Sequence, residues 1–278
     1  MTNTLFIYDG DSMTKNIAKI MASVLSMSKY AAYTDDIKPE RYQRIVLVIG
    51  AKRSMCSDLH KLAPIVADKW TGLIVGDFQN THMEARCNQV QAALQKKLDF
   101  TAFVSEEQYV DDAIKATEKL YAAVAPQEDQ DPDVLQAIEE FLQNHNTGVL
   151  ATGWGRYVRS TPIEYKYKDG HLYIFSEGGG KFANLYRNDQ VSFSVCDPFS
   201  DFQHLAGLQL HGKARIIEPD ELDYATAASV RSIPVERLRA MPVMLHIIDI
   251  TITKAVFLWG GFTKLKKAPR QVYSFEKA

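Results

Sequence analysis

Residues 173–195 read "YIFSEGGGKFANLYRNDQVSFSV", and within them three glycines stand directly before Lys181. Glycine gives up the most backbone freedom on folding, so three together suit a place where bare backbone must come close to something. Backbone N–H groups in such a turn form a concave donor set, and an ammonium beside them makes it an anion site. Ser176 ends the alternating run before the glycines and offers a hydroxyl, and Gly180 and Lys181 open the amphipathic stretch that follows. The same residues also suit a plain strand-to-helix turn carrying a solvated lysine, since glycine clusters punctuate loops of every kind.

No other group of residues makes so definite an offer. The seven histidines have no close metal spacing; His204 and His211 are seven residues apart across a loop and a strand. His145 falls at a helix end, where a cation suits the dipole. His211 and His246 lie in alternating strands and read as wall or surface residues, and Cys196 reads as small apolar filler. Nucleophile-elbow, P-loop and dinucleotide-fingerprint motifs are missing from the sequence, so hydrolase and nucleoside-triphosphatase readings have no support. Cys56, Cys87 and Cys196 are odd in number and widely spaced, which fits a reducing compartment and not a disulfide framework. A net charge of -2 gives no footprint for nucleic acid or a membrane surface. The start, "MTNTLFIYDG", lacks a basic n-region and reads as a first strand, so a cytoplasmic protein is expected.

Two domains are expected from 278 residues. The segment "APQEDQDPD" (125–133) has little to bury and reads as a linker, dividing residues 1–125 from 134–278. Before it, strand and helix patterns alternate: "TLFIY", a helical stripe of Ile17, Ile20, Met21, Val24 and Leu25, "RIVLVIG", a helix over 54–68, "TGLIVGDF", a polar helix, and "DFTAFV". A last stripe runs Val110, Ile114, Thr117, Tyr121 and Val124. This order predicts an α/β doubly wound sheet. After the linker one helix (Val134, Ile138, Phe141, Leu142) leads into "TGVLAT", "TPIEYKY", "HLYIFS", "QVSFSV" and "LQLHGKARII". "KDG" joins two of these as a hairpin. "MLHIIDITITKAVFLW" supplies two more strands, and six or more strands predict a small, mostly antiparallel β barrel.

Residues 134–262 resemble the FMN-binding split-barrel family that includes pyridoxamine 5'-phosphate oxidase. The elements that match, in order, are Arg159, Pro162, Asp169-Gly170, Ser176, Lys181, Asn184-Leu185 and Asn188-Asp189. The resemblance implies that Ser176, Gly180 and Lys181 hold the phosphate of FMN, and that Arg159, Thr161 and Pro162 contact its ribityl chain and ring. It further implies a homodimer with flavin at the interface, and places Trp259 and Arg270 where the family has late contacts from the partner chain. Residues 4–125 resemble a flavodoxin-like domain, nearest its protoporphyrinogen-oxidase branch, through "TLFIYDGDSMTKNIAKIMASVL", "RIVLVIGAKRS" and "GLIVGDFQNTHMEARC". In the loop where flavodoxins bind phosphate this chain has Asp9 and Asp11, which repel an anion, and Asp11 or Ser12 suits a helix N-cap instead.

Three functions follow from these resemblances: an FMN-dependent oxidoreductase acting on a small substrate or electron donor, a haem-binding or haem-degrading protein, and a non-catalytic flavin electron carrier. Against haem, split-barrel haem proteins ligate iron with a histidine near the C-terminus, and no histidine follows His246.

Overall fold

The computed structural model describes residues 3–50, 56–77, 83–124 and 130–275. The chain divides into two compact units, residues 1–125 and 126–278.

The first unit runs β1 (Thr4–Tyr8), α1 (Ser12–Leu25), β2 (Ser28–Ala32), β3 (Arg44–Gly50), α2 (Cys56–Val66), β4 (Trp70–Asp77), α3 (Met83–Leu94), β5 (Phe100–Ser105) and α4 (Tyr109–Val124). Its strands form a parallel sheet in the order β2-β1-β3-β4-β5. Ile45, Leu47 and Ile49 pack with residues of α2 and α3 on one face, and Val46 and Val48 pack with α1 and α4 on the other. Burial on both faces is why these strands read as continuous apolar runs. The fold is flavodoxin-like, with its switch point between β1 and β3. Strand β2, "SKYAA", pairs only with β1 at the sheet edge and carries no apolar run, so periodicity gave no sign of it. Two helix stripes are also shifted. Val24, Val110 and Tyr121 are exposed, and the small residues Ala18, Ala22, Ala113 and Ala116 face the sheet in their place. Alanines there let α1 and α4 pack closely over the strands.

The second unit runs α5 (Pro132–Asn144), β6 (Thr147–Trp154), β7 (Tyr157–Glu164), β8 (Lys166–Lys168), β9 (His171–Ser176), α6 (Gly180–Leu185), β10 (Gln190–Cys196), β11 (Ala206–Ile217), α7 (Tyr224–Ser229), α8 (Val235–Arg239), β12 (His246–Trp259) and β13 (Arg270–Ser274). One antiparallel sheet follows the order β7-β6-β10-β11-β12-β9-β8, with β13 also paired to β12, and curls as a split barrel. Inward residues such as Leu150, Phe193, Leu208, Ile250 and Phe257 fill it. The "KDG" turn is a tight hairpin with Asp169 and Gly170 both at positive φ, joining Lys168 to its partner His171.

Two boundaries differ from the sequence reading. Helix α5 begins at Pro132, inside the stretch read as linker. Asp131 accepts from the Asp133 N–H as N-cap and Pro132 takes the first turn, so a proline and acids that look like linker are a helix start. Lys267 pairs with both Asp131 and Asp133, tying that start to the end of the unit. The stretch read as two strands is the single strand β12. Its first half pairs with β9 and its second with β13, while β11 runs along both. No helix among the described residues is long and apolar enough to cross a membrane.

Candidate functional site

The glycine turn links β9 to α6. Leu172, Ile174 and Ser176 are the buried residues of β9, so its period-two alternation leaves Ser176 facing inward at the strand's end. The Ser176 hydroxyl lies 3.3 Å from both the N–H and the carbonyl of Gly178. Gly178 has φ +110 and Gly179 has φ +98 with ψ −176, backbone open in practice only to glycine. Two of the three glycines are therefore fixed by conformation. At the third, a Cβ on Gly180 would stand 2.3 Å from Nη1 of Arg159, so a side chain there would displace that guanidinium from the turn.

Lys181 folds back from the first turn of α6 and donates to the Gly178 carbonyl at 2.6 Å, with only 8% of its surface exposed. Its ammonium lies 5.4 Å from the centre of the Phe182 ring. Burial pushes the Lys181 pKa below the usual lysine range, the neighbouring Arg159 charge pushes it further, and Glu177 acts the other way. Neither Lys181 nor Arg159 has an ion-pair partner among the described residues. Two cations on one glycine turn, without a carboxylate bound to either, favour an anion between them. At six residues α6 brings little dipole, so the charge comes from these side chains.

The helix is pinned from below. Asn184 Nδ2 donates to Thr152 Oγ1 at 3.2 Å, and Asn188 Nδ2 to the Gly153 carbonyl at 2.9 Å. Thr152 is the cross-strand partner of Arg159, so β6 sets helix and guanidinium together. Thr161 shares the Arg159 face of β7 and is half-buried, whereas Pro162 turns to the opposite face and is exposed. Of the residues predicted to bind cofactor, Arg159, Ser176, Gly180 and Lys181 thus meet at one turn, with Thr161 two residues along β7. Trp259 stacks at 5.7 Å on Phe257 and meets Phe262 edge-on, as part of the unit's own packing, while Arg270 is exposed on β13.

Sequence reading missed what stands behind the helix. His246, read as a wall or surface residue, is the cross-strand partner of Ser176, and its ring lies 5.1 Å from that of Phe182. Its Nδ1 meets Glu218 Oε2 at 2.5 Å, and Tyr186 donates to the other Glu218 oxygen at 3.0 Å. The residues are far apart in sequence, and the β9–β12 and β11–β12 pairings join them.

At the switch point of the first unit the anion is internal. Asp9, 2% exposed, accepts from Thr14 Oγ1 at 2.5 Å, from the Gly50 N–H at 2.8 Å and from the Asp11 N–H at 3.2 Å. Asp11 accepts from the Met13 N–H at 2.7 Å as N-cap of α1, as expected. The "AKRSM" and "FQNTH" segments, residues 51–55 and 78–82, lie outside the described residues. Among the described residues no group of His, Cys, Asp and Glu could hold a metal ion.

No curated protein matches the chain. Solved structures with a similar fold include an FAD-binding protein from Mesorhizobium loti, 22% identical with a TM-score of 0.35, covering 43% of this chain and 90% of its own. An FAD-binding protein from Mycobacterium smegmatis is 16% identical with a TM-score of 0.35, covering 51% and 96%. A heme-binding protein from the same organism is 19% identical with a TM-score of 0.40, covering 52% and 59%. Residues 134–259 match the family model described as pyridoxamine 5'-phosphate oxidase. With the sheet order and the turn described above, the second unit is a split barrel of the pyridoxamine 5'-phosphate oxidase kind, following a flavodoxin-like unit.

Proposed function

We propose that the second unit binds FMN and that the protein is an FMN-dependent oxidoreductase acting on a small-molecule substrate or electron donor in the cytoplasm. The observation that carries this reading is the convergence of two cations without ion-pair partners, Arg159 and Lys181, on a turn whose glycines clear the backbone for an anion. A flavin phosphate fits that donor set in charge and in geometry. Lys181 would neutralise the phosphate, Arg159 would reach it and the ribityl chain, and Ser176 and the Gly180 N–H would donate. Thr161 and the backbone at Pro162 would line the ring edge. When bound, FMN supplies hydride or electron transfer at the ring, and the protein supplies orientation and positive charge.

The site also favours a homodimer. Trp154, Tyr157 and Val158 are 51%, 61% and 83% exposed at the β6–β7 hairpin beside Arg159, and the outward surface of β10–β12 has a shallow depression lined by Val256 and Leu258. A second copy covering these residues would also close the ring site. Sedimentation at micromolar concentration is expected to show a dimer, and a monomer with flavin still bound would exclude this arrangement.

Lys181→Ala tests the reading. A charge-assisted hydrogen bond contributes roughly 1.5–3 kcal/mol, so FMN affinity should fall about 10- to 150-fold. Riboflavin, which lacks the phosphate, should bind wild type and variant alike. An unchanged FMN affinity in a folded variant would reduce the turn to a turn. The visible spectrum of the purified chain separates flavin from haem, and turnover with NAD(P)H separates an enzyme from a carrier.

A further inference from the structure

We propose that His246 is the positioning residue for Lys181, which rests on the phosphate-binding reading above and adds to it a residue that touches no cofactor. The ring of His246 packs on Phe182, 5.1 Å between centres, and the Lys181 ammonium lies 5.4 Å from that same Phe182 ring. Phe182 thus lies close to both the imidazole and the ammonium. Glu218 Oε2 meets His246 Nδ1 and so sets the orientation of the imidazole. The backbone of His246 pairs with Ser176, so one residue adjoins both the strand that enters the glycine turn and the helix that leaves it. Tyr186, the C-cap of α6, donates to the second oxygen of Glu218, which ties the far end of the six-residue helix to the same carboxylate. A helix this short has little stiffness of its own. Its register over the turn, and with it the place of the Lys181 ammonium, depends on side chains that clamp it. Asn184 and Asn188 hold it to β6, and the Glu218–His246 pair holds it to β12.

The experiment is a titration of the full-length chain with FMN and with riboflavin, for wild type, Lys181→Ala, His246→Ala, His246→Phe and Glu218→Gln. His246→Ala is expected to weaken FMN about three- to tenfold, part of what a lost charge-assisted hydrogen bond costs, and to leave riboflavin unchanged. His246→Phe keeps a ring on Phe182 and should restore most of the loss. Glu218→Gln, which loosens the imidazole without removing it, should move FMN in the same direction by less, and serves if His246→Ala does not fold. General damage to the barrel would weaken both ligands equally, and that result would overturn the proposal. So would an FMN preference that Lys181→Ala abolishes while the His246 and Glu218 variants keep it. If wild type itself shows no preference for FMN over riboflavin, the phosphate reading fails and the positioning role fails with it.

Discussion

Lys181 carries its charge at a cost, because burial and the Arg159 guanidinium both disfavour the ammonium. A dianion on the turn would reverse that cost, so binding and protonation of Lys181 are coupled. In the apo chain the folded-state pKa lies below the ordinary 10.5, so the unfolded chain holds that proton more readily. Apo stability from this group therefore rises as pH climbs through the window between the two values. On the phosphate-binding reading proposed above, FMN affinity is expected to run the other way. It is full below the free-site pKa and falls as pH rises through it, because the ammonium that phosphate needs is being lost. Titrations from neutral pH upward should show that fall starting earlier than an exposed lysine gives, and Lys181→Arg should flatten it. An affinity that stays level in wild type over the same range would mean that Lys181 does not face the phosphate.

Between elements, the two helix entrances handle anions in opposite ways. At α6 the positive groups come together and their anion is left to be supplied. At α1 the chain supplies its own, since the Asp9 carboxylate takes two backbone N–H groups and the Thr14 hydroxyl at the end of β1. The carboxylate is buried, and its loss takes the acceptor from the Gly50 and Asp11 N–H groups, while the Thr14 hydroxyl keeps the Asp11 carbonyl as a partner. Asp9→Ala should lower the stability of the first unit by about 1–3 kcal/mol, the cost of removing a buried acceptor from half-buried donors. A shift in the denaturant midpoint reads it, and a change within experimental scatter would show that water replaces the carboxylate at no cost.

The sequence made one of these entrances legible and half-hid the other. Three glycines before a lysine read as an anion site because conformation and charge are written in adjacent residues. Asp9 shows its repulsion of phosphate in sequence, but its partner Gly50 comes from a strand forty-one positions away. Strands β3 and β4 were plain because burial on both faces forces continuous apolar runs, whereas β2, an edge with Lys29 exposed, had no such constraint. The partners of His246 were not legible, because alternation records which face a residue takes and nothing about what lies across the sheet.

For the whole chain, the proposed FMN binding and the two entrances together imply a stoichiometry. A flavodoxin-like unit before a split barrel offers two places where a flavin phosphate is expected from fold alone, and fold alone does not carry function. The split-barrel site has two cations and a cleared backbone. The flavodoxin-like site has a buried carboxylate bonded to the N–H groups that a phosphate would need, with Asp11 capping the same helix. A dianion brought there would meet the like charge of Asp9 and Asp11. The chain is therefore expected to bind one FMN, not two. Flavin released by denaturing the saturated, desalted protein, measured against protein concentration, should give one per chain in wild type and close to none in Lys181→Ala. Two per chain, with one remaining in the Lys181→Ala protein, would mean that the first unit binds flavin despite Asp9.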